Sequence, residues 1–73
     1  MKKITKDVLT YLEEHGTITP QKAIRSIGCY SLAARIYELR HQEGIVISKT
    51  MKKAVRKDGT AVHFAEYKLE AMP

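Results

Sequence analysis

Thr19-Pro20-Gln21-Lys22-Ala23-Ile24-Arg25-Ser26-Ile27-Gly28-Cys29-Tyr30-Ser31-Leu32-Ala33-Ala34-Arg35-Ile36-Tyr37-Glu38-Leu39 carries two helix starts with a stop between them. Thr19 suits an N-cap and Pro20 the first helical position, where the N–H that proline lacks would be unpaired anyway. Ala23, Ile24 and Ile27 continue that helix to Gly28, a residue suited to the left-handed conformation that ends helices. Cys29 and Tyr30 leave only a tight turn before Ser31, which reads first as the N-cap of a third helix. In that helix Leu32, Ile36 and Leu39 recur at helical spacing until Glu43 and Gly44. On a wheel centred on Ile36, Leu32, Ala33 and Leu39 share the inner side, while Ser31, Ala34, Arg35, Glu38, His41 and Gln42 face away.

Upstream, Ile4 and Thr5 read as a hydrophobic staple and N-cap, because Val8, Leu9 and Leu12 follow at helical spacing up to His15 and Gly16. Thr17 and Ile18 are too few and too β-branched for a helix and read as a short extended link. Downstream of Gly44 the period becomes two. Ile45, Ile47 and Met51 share one parity, as do Ala65, Tyr67 and Leu69, so a hairpin follows, with Asp58-Gly59 at its turn. A strict two-residue loop would pair Leu69 with Ser48 and Tyr67 with Thr50, setting apolar residues opposite polar ones. A one-residue change restores the apolar face by pairing Leu69 with Ile47 or Lys49, through a three-residue loop with a glycine bulge or a bulge in a strand. Ala71, Met72 and Pro73 read as a frayed tail.

These signals predict one α+β domain over residues 1–73, with helices at about 5–15, 20–27 and 31–43 and a two-stranded hairpin at about 45–69. Helix, extended link, helix, tight turn, helix, hairpin is the order of a winged helix-turn-helix. In that arrangement the third helix enters the major groove and the wing reaches phosphates.

Charge patterning agrees. Of 13 Lys and Arg, five (Lys49, Lys52, Lys53, Arg56 and Lys57) lie in one run without an acid, and the remaining eight balance the eight Asp and Glu, so this run carries the whole net +5. Two readings stand: a phosphate-contacting wing, or a solvated edge strand whose lysines prevent strand-to-strand association. The candidate DNA contacts are Ser31, Arg35, Glu38 and Gln42 on helix 3 and Lys49, Lys52, Lys53, Arg56 and Lys57 on the wing. Arg35 is open between a base or phosphate contact and a pair with Glu38 or Glu43. Ser31, at a helix start that also offers free N–H groups to a phosphate, can combine both roles. Tyr30 reads either as packing on the turn between helices 2 and 3, the favoured role, or as touching the DNA backbone.

Other function classes find little footing. Cys29 is the one cysteine, so no internal disulfide forms and a buried structural thiol in an intracellular, cytoplasmic protein is expected. His15, His41, His63 and Cys29 have no zinc-site spacing. Glu13 and Glu14 point to different faces, and no glycine-rich phosphate loop is present. No catalysis, cofactor or metal is expected. No apolar run reaches the ~18 residues of a membrane span, and Met1 to Thr5 lacks the apolar stretch of a signal peptide.

Thr17-Ile18-Thr19-Pro20, Ala23, Gly28, Tyr30, Leu32-Ala33-Ala34-Arg35-Ile36, Leu39-Arg40, Gly44 and the closing Ala65-Glu66-Tyr67-Lys68-Leu69 together resemble the small winged helix-turn-helix proteins of bacteriophages and prophages. The resemblance runs from about Val8 to Leu69. It implies the fold and a general DNA-binding role, as transcriptional regulator or excisionase-like architectural factor, and supplies no operator, effector or catalytic residue. The expected partner is double-stranded DNA, bound as a homodimer or cooperatively. The alternative is a module that contacts a host or phage protein, with its charge serving solubility or an acidic partner.

Overall fold

In a computed structural model describing residues 1–73, Thr19 starts a helix as its type requires: its hydroxyl oxygen accepts the Lys22 N–H (3.3 Å), with Pro20 at the first position. The elements in chain order are α1 (Lys3–His15), β1 (Thr17–Ile18), α2 (Pro20–Ile27), α3 (Leu32–His41), β2 (Val46–Val55) and β3 (Ala61–Ala71). α2 ends at Gly28, whose φ of 77° is the left-handed conformation that a side chain would strain. There the Cys29 N–H donates to the Ala23 carbonyl (3.0 Å) and the Gly28 N–H to that of Ile24 (3.1 Å). α3 closes in a similar way, with the Ile45 N–H on the Leu39 carbonyl (3.0 Å), which turns the chain directly into β2.

The apolar residues spaced for helix contact meet in one core. Val8, Leu9 and Leu12 of α1 pack with Ile18, Ala23, Cys29, the α3 trio Leu32, Ile36 and Leu39, and Ile45, Ile47 and Tyr67 from the sheet. Cys29 is buried and free, as its residue type suggested.

The hairpin adopts the register that buries its apolar parity. Ile47 pairs with Leu69, Lys49 with Tyr67 and Met51 with Ala65. The extra residue is supplied at the turn, where the Arg56 N–H donates to the Thr60 carbonyl (2.8 Å), the Gly59 N–H to that of Arg56 (3.0 Å), and Gly59 sits at φ 88°. A second shift, between Val46 and Ile47, brings Val46 opposite Ala71. β3 therefore runs on to Ala71, into the expected tail.

Four expectations change. The sheet has three strands, not two: Thr17 and Ile18 pair antiparallel with Lys68 and Tyr67, which makes β3 the central strand in the order β1-β3-β2. Two residues are too short for a periodicity signal, and this strand exists because β3 offers its free edge. α1 starts at Lys3, and Thr5 is a buried residue inside it rather than its cap. α3 spans Leu32–His41 rather than 31–43, and Ser31 occupies the N-cap without a side-chain capping bond. Tyr30 is 83% exposed instead of packed on the turn.

Candidate nucleic-acid interface

The wing is built by pairing β2 with β3 far beyond the part of the sheet that reaches the core. From Lys49 to Ala61 every residue is exposed, including Met51 and Val55, which share the parity of buried Ile47. The molecule is accordingly elongated, 42 × 22 × 20 Å. The five wing cations all lie in this exposed part. Only Lys52 has an acidic partner, Glu66, with Nζ to Oε1 at 3.4 Å; Lys49, Lys53, Arg56 and Lys57 make no ion pair. Asp58, the one acid in the tip, has its Oδ1 engaged by the Thr60 hydroxyl (2.6 Å) and the Thr60 N–H (3.0 Å). The Thr60 hydroxyl holds the Asp58 pKa below its ordinary value, with the backbone N–H adding to the effect. Strand pairing thus presents four of the five cations without an ion-pair partner, beside one ionised acid at the tip.

The base of the wing is tied to α3. Arg40 donates from Nε (3.0 Å) and Nη2 (2.7 Å) to the Ile47 carbonyl at the start of β2. This clamp fixes the hairpin beside the helix by pairing a β2 carbonyl with a charged donor.

The polar face expected on α3 divides. Arg35 and Glu38 do not look outward: they turn toward α1, each with only 16% of its side chain exposed. Glu38 Oε1 accepts the Thr5 hydroxyl (2.7 Å), its Oε2 lies 3.5 Å from Lys2 Nζ, and Arg35 Nε approaches Oε1 at 2.7 Å. The Arg35 N–H is not directed at that oxygen, so this contact is an ion pair and not a hydrogen bond. The Thr5 hydroxyl is the main cause holding Glu38 below the ordinary glutamate pKa, supported by the charges of Arg35 and Lys2. Gln42 is exposed but lines a hollow with Lys2, Thr5 and Glu38 on this same α1 side. Ser31 remains exposed at the start of the helix.

The outward stripe of α3 is instead Ala33, Ala34, Tyr37 and His41, with Tyr30 preceding it. Tyr37 is 61% exposed and its ring lies 4.3 Å, centroid to centroid, from that of His41. On a wheel centred on Leu32, Ile36 and Leu39 together, Ala34 and His41 lie opposite the core while Tyr37 and Glu38 lie about equally far to either side, so the wheel alone does not tell which of the two faces solvent. Sequence reading also missed the groove of about 500 Å³ between the start of α2 and β3, which brings Lys22 and Arg25 near His63, Phe64 and Glu66. No three of the His, Cys, Asp and Glu side chains come together as a ligand set, and no helix is long and apolar enough to cross a membrane.

Comparison with curated proteins and with solved structures gave no match. A family of known domains does match: with three helices, a helix-turn-helix through Gly28 and a clamped basic wing in place, and with the match spanning residues 4–71, the chain belongs to the winged helix-turn-helix domain family, a fold associated generally with DNA binding.

Proposed function

We propose that this domain binds double-stranded DNA, with the outward stripe of α3 in the major groove and the wing along phosphates, as a small transcriptional regulator or an excisionase-like architectural factor of phage or prophage type. It works by binding, without a catalytic step, in the cytoplasm. The observation that carries the reading is the set of four unpaired cations on a projecting hairpin clamped beside the recognition helix. A single module of this kind buries only about 600 to 1,000 Å² of protein surface on DNA, so a useful operator preference calls for two copies, dimeric or cooperative on neighbouring half-sites.

The test is fluorescence anisotropy on a random-sequence duplex between about 50 and 200 mM salt, where phosphate binding falls steeply. Lys53→Gln flattens the slope of log affinity against log salt by about 0.9 if that side chain contacts one phosphate. Lys52→Gln flattens it less, because Lys52 is already paired with Glu66. Absence of binding at the lower salt defeats this reading in favour of a protein-docking module, for which exposed Tyr30 and Tyr37 are the available aromatic anchors.

A further inference from the structure

The side chains that ordinarily read base edges are missing from the outward stripe of α3. Guanine is read by two donors from Arg or Lys, adenine by Asn or Gln, and cytosine by a carboxylate. Both arginines of α3 are engaged elsewhere, Arg35 beside Glu38 and Arg40 on the Ile47 carbonyl. Glu38 holds the Thr5 hydroxyl, and Gln42 lies past the end of the helix on the side facing α1.

A recognition helix contacts bases chiefly through its N-terminal residues. In α3 the exposed positions of that first turn are Ala33 and Ala34, preceded by Ser31. At these two positions the helix presents only methyl groups, between exposed Tyr30 before the helix and exposed Tyr37 one turn further on. Among the four bases, thymine alone presents an apolar group on the major-groove edge, its C5 methyl. Burying that methyl against alanine removes apolar surface from water on both sides. The serine hydroxyl accepts or donates to any base and adds no strong preference.

We infer that α3 reads thymine C5 methyl groups through Ala33 and Ala34, so that this domain selects duplexes carrying A·T pairs under the start of α3 and does not read guanine there. The inference rests on the DNA-binding reading above and gives it a substrate class. It also divides the labour: affinity and its salt dependence come from the wing, and base preference comes from two methyl groups. Tyr37 and His41, further along the stripe, then lie toward the edge of the groove, where a phenol or imidazole N–H reaches phosphate.

The experiment uses the full chain and a library of random duplexes, from which bound members are recovered and sequenced. The preferred duplex is then remade with deoxyuridine replacing thymidine at each enriched position, which removes only the methyl. Expected results are enrichment of thymine at one or two adjacent positions and about a fourfold loss of affinity for each contacted methyl removed. Ala33→Ser and Ala34→Ser, both on an exposed face and so compatible with folding, lose the discrimination between thymine and uracil while retaining the salt slope. Enrichment of guanine, a flat library, or equal binding of thymine and uracil duplexes overturns the inference; salt-sensitive binding in the same assays leaves the DNA-binding reading standing. Absence of binding to every duplex at low salt overturns both.

Discussion

In α3 the charged side chains Arg35, Glu38 and Arg40 all find partners inside the protein, whereas in the outer wing four of five cations find none. The difference follows from distance to the core. A guanidinium or carboxylate drawn against the packed body loses water and must recover the interaction locally. From Lys49 through the turn to Ala61 every residue is exposed, and water does the same service without fixing the side chain. The comparison shows why charge on α3 serves architecture here, and why the cations left without a protein partner lie on the wing.

Substitutions in the two regions should therefore separate stability from binding. Leu39 is fully buried, so Leu39→Ala removes the contacts that hold α3 onto the body. The expected cost is about 2 to 5 kcal/mol, a large part of the roughly 5 to 10 kcal/mol available to a domain this small. A urea titration followed by circular dichroism measures it; a cost below about 1 kcal/mol would mean that the helix is not seated as described.

Arg40→Gln probes the join between the regions. It removes the charged donor from the Ile47 carbonyl and should destabilise by about 1 to 3 kcal/mol. Faster amide exchange at the start of β2 should accompany it, and unchanged exchange there would deny Arg40 its role as clamp.

Glu38→Gln acts through pH. The folded-state pKa of Glu38 lies below its ordinary value of 4.5, so its contribution is present above that value and is lost as pH falls through the lowered one. The wild-type melting temperature should drop across this acid window more steeply than that of Glu38→Gln. Parallel curves for the two proteins would show that the Thr5 and Arg35 contacts do not bias ionisation.

The smallest effect on folding is expected in the wing. Lys53→Gln should leave the urea midpoint within about 0.5 kcal/mol of wild type, because Lys53 is exposed and has no ion-pair partner, even as it changes the salt dependence of DNA binding. A large loss of stability would contradict the picture of a solvated wing tip.

Much of this architecture was legible in the chain because its signals are local. Thr19 and Pro20 start α2, and Gly28 stops it, through contacts with residues a few positions away. The hairpin register was legible in part: parity rejects the strict two-residue loop and leaves Ile47 or Lys49 across from Leu69, and the turn at Gly59 selects Ile47. The concentration of cations between Lys49 and Lys57 needs no structure to be seen. Harder to read was the polar side of α3, since a helical wheel supplies an angle but not what stands opposite it.

The sequence by itself determined the order of elements, the winged helix-turn-helix class, the need for a bulge in the hairpin and the place of the positive charge, because caps, glycine turns and period-two alternation act over short separations. Only the tertiary structure decided that Thr5 lies beneath Glu38, that Arg40 reaches the Ile47 carbonyl, that Thr17 and Ile18 become a third strand, and that Ala33, Ala34 and Tyr37 form the outward stripe. Each of these depends on a partner distant in sequence or on the tilt of one helix against another. Such contacts arise when the core packs, and no local spacing encodes which polar side chain will be left facing the solvent.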